Sequence, residues 1–153
     1  MLPLSLGGKM TKKSAITVSV QLVCIAVLVL TGPVIPRNPV ALTLAGAGVA
    51  VIAWAVVVMG FYNLRIEPDV HEQARLVTRG PYRMIRHPMY TGGTLIVAGW
   101  LWEDFTWIRL IVGLLLVADF MVKLRYEERL RMERFAEYTD YVRRTKRLVP
   151  YVY

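Results

Sequence analysis

Two long runs without a charged residue constrain this chain more than any other feature. Residues 14–36 and residues 38–64 contain no Asp, Glu, Lys or Arg. A helix needs about 20 apolar residues to cross the roughly 30 Å hydrocarbon core of a bilayer, so each run is long enough for one span. The composition agrees with membrane-spanning helices, because 56% of the 153 residues are hydrophobic and only 20% are charged. These values exclude an ordinary soluble domain and predict an all-α, polytopic membrane helical bundle.

Two further apolar stretches follow in the second half of the chain. They predict a third span over about residues 86–102, which is short, and a fourth over about residues 105–124. Only Glu103 and Asp104 separate the end of the third stretch from the start of the fourth, so the two spans are expected to form a tight helical hairpin. The whole chain, residues 1–153, is expected to be one domain of four transmembrane helices.

Positive charge is concentrated in three blocks. The chain has 19 Lys and Arg residues against 11 Asp and Glu residues, a net charge of +8, and the positive residues lie mainly before the first span, between the second and third, and after the fourth. The positive-inside rule places these blocks, and both termini, in the cytoplasm. Only Arg37 and Arg109 lie on the far side, and Arg109 is expected to snorkel to the membrane surface. The expected location is an inner or plasma membrane, with the lipid bilayer and no nucleic acid as partner.

Small residues line one face of the second span. Ala41, Ala45 and Gly48 share a helical face, which allows another helix to approach the backbone closely in lipid. Packing within the bundle is the favoured interpretation, because four helices must first pack on one another. A homodimer contact is the alternative.

The segment that precedes the third span has an unusual composition for a loop. Residues 79–93 read RGPYRMIRHPMYTGG and contain two prolines, three glycines, two tyrosines and a histidine. Pro88 suits the first position of a helix, so Gly92 and Gly93 lie about one turn inside it. Glycines at these positions indicate the close approach of either a ligand or another helix, and spacing alone favours neither.

Two adjacent carboxylates, Glu127 and Glu128, follow the fourth predicted span. Asp119, Lys123 and Glu127 recur at four-residue steps, so they share one face of a helix that continues beyond the membrane. Asp119 is costly to bury, and it is expected to face the bundle and pair with Lys123 or with an arginine of residues 79–86. The doublet is either an interfacial charge cluster or a holder of polar cofactor groups. Spacing alone favours the charge cluster.

The histidine pattern argues against a metal site. His71 and His87 lie sixteen residues apart, outside any HExxH-like ligand pattern, so no metal is expected. A lone histidine such as His87 is more often a hydrogen-bonded structural residue than a ligand or a base. The single cysteine, Cys24, excludes an intramolecular disulfide.

The end of the chain predicts an amphipathic helix. Leu130, Phe135, Tyr138 and Tyr141 recur every three to five residues, which predicts a cytoplasmic helix over about residues 125–146 that lies along the membrane surface. Its arginines would attach it to anionic lipid, or the helix would form a lid over a cytoplasmic pocket.

The combination of GPYRMIRHPMYTGG, a short helical hairpin and EERLRMERFAEYTDYVRRTKRLVP resembles the catalytic region of a membrane enzyme superfamily. This is the isoprenylcysteine carboxyl methyltransferase and phospholipid methyltransferase superfamily, and the resemblance covers about residues 75–150. It implies methyl transfer from S-adenosylmethionine to a membrane-embedded lipid or lipidated acceptor. Ala136 departs from the family phrase, which has glycine after the phenylalanine. The chain is also shorter than the eukaryotic members, so their prenylcysteine substrate is not carried over.

The resemblance also implies which residues form the site. The residues expected to line the S-adenosylmethionine site are His87, Pro88, Tyr90, Gly92, Gly93, Glu127 and Glu128. Carboxylates suit the cationic groups of this cofactor, and a tyrosine ring suits its sulfonium. An acceptor carboxylate would need an arginine, and an acceptor amine would need a base such as Glu128 or His87. The residues expected to act on the acceptor are Arg83, Arg86, Arg129 and Glu128.

Two other functions compete with this interpretation. Membrane sterol-type reductases, which bind NADPH, have a turn similar to RHPNYLGD, but Met89 and Gly93 replace its asparagine and aspartate here. A non-enzymatic membrane scaffold would explain the composition and the topology. It would leave the GPYR to GG segment and the glutamate doublet unexplained.

Overall fold

The computed structural model describes residues 12–60 and 76–150, with side chains from Ser14 onward. This part of the chain is all-helical, and its one β-bridge joins Ile85 to Lys146. The elements in chain order are α1 (Lys12–Leu30), α2 (Pro39–Met59), a 3₁₀ turn (Gly80–Arg83), α3 (Pro88–Glu103), α4 (Trp107–Arg134) and α5 (Tyr138–Arg144). The predicted all-α class is confirmed for these residues. The end of the second predicted span (61–64) and His71 lie outside the described residues.

Local sequence explains why the helices differ from the predicted spans. The first predicted span extends to residue 36, but α1 ends at Leu30 because Gly32 and Pro33 follow and do not favour continuation of a helix. At the start of α2, the Asn38 side chain accepts hydrogen bonds from the backbone of Val40 at 2.9 Å and of Ala41 at 3.4 Å. The third helix begins at Pro88, two residues later than predicted, with His87 in the N-cap position.

The C-terminal region is not the single helix that the sequence predicts over 125–146. Helix α4 continues to Arg134, the backbone becomes extended at Phe135, and the seven-residue α5 follows. The predicted aromatic face is buried in the protein, since Tyr138 and Tyr141 are both buried and the Tyr141 hydroxyl donates to the Tyr82 carbonyl at 2.6 Å. Tyr141 therefore packs on the segment before α3 and Tyr138 packs on Tyr141, while the placement of this region along the membrane surface or as a lid stays a prediction.

Helices α2 and α3 pack through their small residues. A Cβ added at Gly48 would lie 2.5 Å from the Gly92 carbonyl oxygen, and one added at Gly99 would lie 2.7 Å from the Ala41 carbonyl oxygen. Ala41 and Ala45 are both buried in this contact. The predicted internal packing of this face is confirmed, and the face is occupied within one chain.

Helices α1 and α4 form the second packed pair. Their apolar side chains meet around a buried cluster of Cys24, Leu28, Leu116 and Phe120, which Val97 of α3 completes. Because Val97 belongs to α3, van der Waals packing in this cluster joins the α1–α4 pair to the α2–α3 pair.

The prediction that Arg109 snorkels to the membrane surface is wrong. Its side chain is only 1% exposed, and it donates from Nη1 to the Leu28 carbonyl at 2.9 Å and from Nη2 to the Trp100 carbonyl at 3.2 Å. The last carbonyls of a helix have no partner within that helix and carry partial negative charge. Arg109 therefore stabilises the end of α1 from within the bundle.

Asp119 faces the bundle, as predicted, but without the expected ion pair. It is buried, and its Oδ2 atom has no hydrogen-bond partner among the described residues. Lys123, one turn later on α4, donates instead to Gln21 Oε1 of α1 at 3.2 Å. The Asp119 and Lys123 charges still interact electrostatically, but no direct ion pair joins Asp119 to Lys123 or to an arginine within the described residues.

Within the described residues, α2 is the one helix that is long and apolar enough to cross a membrane. Only 17% of its most apolar 18-residue window is buried inside the protein, whereas a core helix of a soluble protein would be mostly buried. The apolar part of α1, Ser14–Leu30, is shorter. Lipid is the solvent that suits such an exposed apolar helix.

The α2–α3 contact predicts opposite behaviour for two nearby glycines. Gly48→Ala should lower the unfolding temperature in detergent, at a cost of about 1–3 kcal/mol, because the new methyl group meets backbone atoms of α3. Gly46→Ala is the matched control, since nothing lies within 4 Å of a Cβ at that position. It should leave the unfolding temperature unchanged or raise it. Equal destabilisation by both variants would contradict this packing.

Candidate active site

The segment before α3 begins with a tight turn. Gly80 has a φ of 59°, in the left-handed region that glycine adopts without strain, and a Cβ there would lie 2.7 Å from the Val58 side chain. The Pro81 carbonyl then accepts hydrogen bonds from the backbone of Met84 and Ile85, both at 3.1 Å. The turn directs the following residues across the ends of α2 and α4.

The C-terminal segment runs parallel to this stretch and fixes it in place. The Lys146 amide donates to the Met84 carbonyl at 3.1 Å, and the Arg86 amide donates to the Lys146 carbonyl at 2.8 Å. The His87 amide donates to the Arg147 carbonyl at 3.1 Å. Because these are backbone bonds, they set the position of Arg86 and His87 whatever side chains the C-terminal segment carries.

Glu128 of α4 lies at the centre of the site. Its Oε1 atom accepts a hydrogen bond from Arg86 Nε at 2.7 Å, and its Oε2 atom accepts one from Arg147 Nε at 3.0 Å. His87 Nε2 lies 3.5 Å from Oε1. Arg86 also donates to the carbonyls of Val142, at 3.2 Å, and Thr145. One carboxylate therefore joins α4, the segment before α3 and the C-terminal segment.

Glu127 lies beside it and has different partners. Its Oε1 atom accepts a hydrogen bond from the Tyr90 hydroxyl at 2.6 Å, and its Oε2 atom accepts one from Arg131 Nη2 at 3.2 Å. His87 Nδ1 lies 3.8 Å from Oε2, so the imidazole lies between the two carboxylates. We call His87, Tyr90, Glu127 and Glu128 the carboxylate cluster.

The electrostatics of the cluster keep Glu128 ionised. Burial alone would raise the pKa of its carboxyl group, but the neighbouring His87 and Arg86 lower the pKa by more than burial raises it. The pKa is therefore about 2, below the ordinary value of 4.5. A buried carboxylate between two arginines is therefore a fixed negative charge at neutral pH and a very weak base.

The structure brings together some of the residues predicted for the site and separates others. Within or directly around the carboxylate cluster are His87, Tyr90, Glu127, Glu128 and Arg86. Arg83 is exposed on the 3₁₀ turn, and Arg129 lies on the opposite face of α4. Neither arginine forms an ion pair with the carboxylates of the cluster within the described residues.

The proline and glycines predicted for the site have packing contacts in the structure. Pro88 is buried in the first position of α3. Gly92 contacts α2, and a Cβ at Gly93 would lie 3.0 Å from the ring of Phe120. The Phe120 ring in turn packs on the Tyr90 ring, with centroids 5.2 Å apart. Gly93 therefore leaves room for the aromatic pair that supports the cluster.

Sequence reasoning missed two arginines that contact the cluster. Arg131 follows Glu127 by four residues on α4, so helical spacing was sufficient to find it. Arg147 lies nineteen residues after Glu128, and no local pattern distinguishes it from the other basic residues of the C-terminal region.

The cluster combines groups that suit a ligand with both positive charge and hydrogen-bonding groups. Two carboxylates can hold cationic or hydroxyl groups, and the Tyr90 ring offers an aromatic face. His87 Nε2 is buried and has no hydrogen-bond partner among the described residues. No group of three or more His, Cys, Asp or Glu side chains in residues 12–60 and 76–150 is arranged to hold a metal ion.

Comparison with known proteins identifies the family of this chain. Residues 37–137 match the phospholipid methyltransferase family, which covers both helices of the α2–α3 pair and the whole carboxylate cluster. The chain therefore belongs to the phospholipid methyltransferase family, a family of membrane methyltransferases.

A relative whose name indicates a different function also matches. The nickel-cobalt-cadmium resistance protein NccN of Alcaligenes xylosoxydans xylosoxydans is 33% identical over 81 residues. The match covers 52% of this chain and 38% of that protein, so the chain spans well under half the length of this relative.

Glu128 predicts a pH dependence of stability. Its pKa is lower in the folded protein, at about 2, than its ordinary 4.5, so its contribution to stability is complete above pH 4.5 and is lost as the pH falls toward 2. Thermal unfolding in detergent should therefore show the difference between wild type and Glu128→Gln shrinking across this window. Glu133→Gln, at an exposed position on the same helix, is the control and should follow the wild type. A difference that is independent of pH would contradict the assigned pKa.

Proposed function

We propose that this protein transfers a methyl group from S-adenosylmethionine to a lipid or lipidated acceptor in the membrane. The observation that carries the proposal is the carboxylate cluster, which joins the RHPMYTGG segment to the glutamate doublet in a member of a methyltransferase family. When bound, the cofactor supplies a methyl group on a sulfonium, which is already a good leaving group. The residues of the chain then need only to align the two reactants and exclude water.

The cluster fits this cofactor in charge and in hydrogen-bonding capacity. The Glu127 side chain is 12% exposed and that of Glu128 is 5% exposed, so Glu127 is the more accessible carboxylate. Glu127 would hold a cationic or hydroxyl group of the cofactor, and Tyr90 would offer its ring to the sulfonium. Glu128, which two arginines already bind, would position His87 and the C-terminal segment.

Two kinds of acceptor remain within the proposal. An acceptor carboxylate resembling that of an isoprenylcysteine would be bound by an arginine; Arg86 is already engaged by Glu128, and Arg83 is exposed. An acceptor amine resembling that of a phospholipid would lose a proton during the reaction. His87 or Glu127 would accept this proton, because the low pKa of Glu128 makes it a poor base.

The proposal includes the predicted four-span topology with both termini in the cytoplasm. The cluster forms at the first residues of α3 and just beyond the apolar part of α4, and these belong to the same end of the α3–α4 hairpin. Large apolar side chains are exposed along α4, among them Ile108, Ile111 and Leu115, as expected for contact with lipid. The cluster would then lie at the cytoplasmic surface. There a water-soluble cofactor can enter from one side and a lipid from the other.

Ligand binding tests the proposal directly. Purified protein in detergent, titrated calorimetrically, should bind S-adenosylhomocysteine and should not bind NADPH. Binding of NADPH alone would favour the reductase alternative, and binding of neither would favour the scaffold.

Glu127→Gln should weaken binding of S-adenosylhomocysteine about tenfold or more, the loss expected for one charge-assisted hydrogen bond. Glu133→Gln is the matched control on the same helix and should bind as the wild type does.

Tyr90 allows the aromatic ring to be tested apart from the hydroxyl group. Tyr90→Leu should weaken binding of S-adenosylmethionine about threefold to thirtyfold more than binding of S-adenosylhomocysteine, because only the former carries the sulfonium charge that the ring attracts. Tyr90→Phe keeps the ring and should keep the ratio of the two affinities. Since both ligands are measured on the same variant, a general loss of folding would lower both affinities together. An unchanged ratio in Tyr90→Leu would remove the ring from the proposed sulfonium site.

A further inference from the structure

Helix α4 carries a second charged face, opposite the carboxylate cluster. Val122, Tyr126 and Arg129 recur at four and three residues, so they share a face that points away from the two glutamates. This face and the start of α1 enclose a cavity of about 230 Å³. The residues that line the cavity are Ser14, Thr17, Val122, Lys123, Arg125, Tyr126 and Arg129.

The charges around this cavity are unbalanced. Among the described residues that line it, three are cationic and none is acidic. The arginines near the carboxylate cluster each pair with Glu127 or Glu128, whereas Arg125 and Arg129 form no ion pair within residues 14–60 and 76–150. Lys123 is buried and its Nζ atom donates to the neutral side chain of Gln21. The carboxylates of Glu127 and Asp119 also act on Lys123 electrostatically, so Arg125 and Arg129 carry the unbalanced charge.

We propose that this cavity binds the phosphate group of an anionic membrane lipid. The two guanidinium groups of Arg125 and Arg129 at one cavity match the several oxygens of a phosphate. The hydroxyl-bearing side chains of Ser14, Thr17 and Tyr126 line the same space. The proposal concerns a site other than the carboxylate cluster and does not rest on the proposed methyl transfer.

Two observations favour a lipid with a net negative charge. Apolar side chains are exposed beside the cavity, with Ile16 63% exposed on α1 and Val122 58% exposed on α4, so acyl chains would find apolar surface next to the phosphate. Because no carboxylate is among the described residues that line the cavity, the quaternary ammonium group of a choline headgroup would have no partner among them. Inorganic phosphate shares the same chemistry, and the experiment must separate it from lipid.

Native mass spectrometry of the full chain in detergent tests the proposal with defined probes. Phosphatidylglycerol should bind at least about tenfold more tightly than phosphatidylcholine. Arg125→Gln combined with Arg129→Gln should remove about tenfold of the affinity for phosphatidylglycerol. Arg143→Gln combined with Arg144→Gln is the matched control, because it removes the same charge from exposed positions on α5. This control should change the affinity less than about twofold.

Three outcomes would overturn the proposal. An equal loss in both double variants would indicate general attraction to anionic lipid. Competition by inorganic phosphate at concentrations comparable to phosphatidylglycerol would indicate a site for a free anion. Equal binding of phosphatidylcholine would indicate that charge does not select the lipid. Gel filtration and thermal unfolding report whether the double variant folds, and if it does not, Arg129→Gln alone should lose about threefold of the affinity.

Discussion

The buried carboxylate of Glu128 is the interaction on which the proposed site depends. A charge in a buried position is costly unless it is paired, and removal of one partner leaves the other uncompensated. Glu128 meets this requirement with Arg86 from the segment before α3 and Arg147 from the C-terminal segment. Three stretches that are distant in sequence must therefore meet before the Glu128 carboxylate has both of its arginine partners. The same meeting places His87 between the two carboxylates, so stability and the geometry of the site have one origin.

Close packing of α2 on α3 is the second requirement. The two helices approach until Gly48 and Gly92 leave no room for a side chain at their contact. This contact lies one turn beyond Pro88, the residue that starts α3, and thereby fixes the start of α3, with His87 and Tyr90, against α2. A glycine that lies within a proposed site can thus act through helix packing. In lipid, where the hydrophobic effect between helices is absent, such close van der Waals contact carries much of the association energy.

Much of the fold followed from patterns that depend on the local sequence. The runs without charge predicted apolar helices, Pro88 marked the start of α3, and the small face of α2 predicted an internal contact. The resemblance paired His87 with the glutamate doublet, which the structure brings together. What could not be predicted depends on tertiary partners. Arg109 is buried because the end of α1 lies beside it, and nothing near Arg109 in sequence contains that information.

The partners of the arginines also could not be predicted from the local sequence, and these partners explain why the two faces of α4 differ. The distribution of arginines along the chain predicted the membrane topology, but it cannot say which arginine contacts a carboxylate. In the structure, Arg86 and Arg147 bind Glu128 and Arg131 binds Glu127, while Arg125 and Arg129 line a cavity that has no carboxylate among its described lining residues. Helix α4 therefore carries ion-paired carboxylates on one face and, within the described residues, two arginines without an ion pair on the other. The buried carboxylates are compensated mainly by arginines from other segments, which leaves Arg125 and Arg129 of α4 itself at the second cavity.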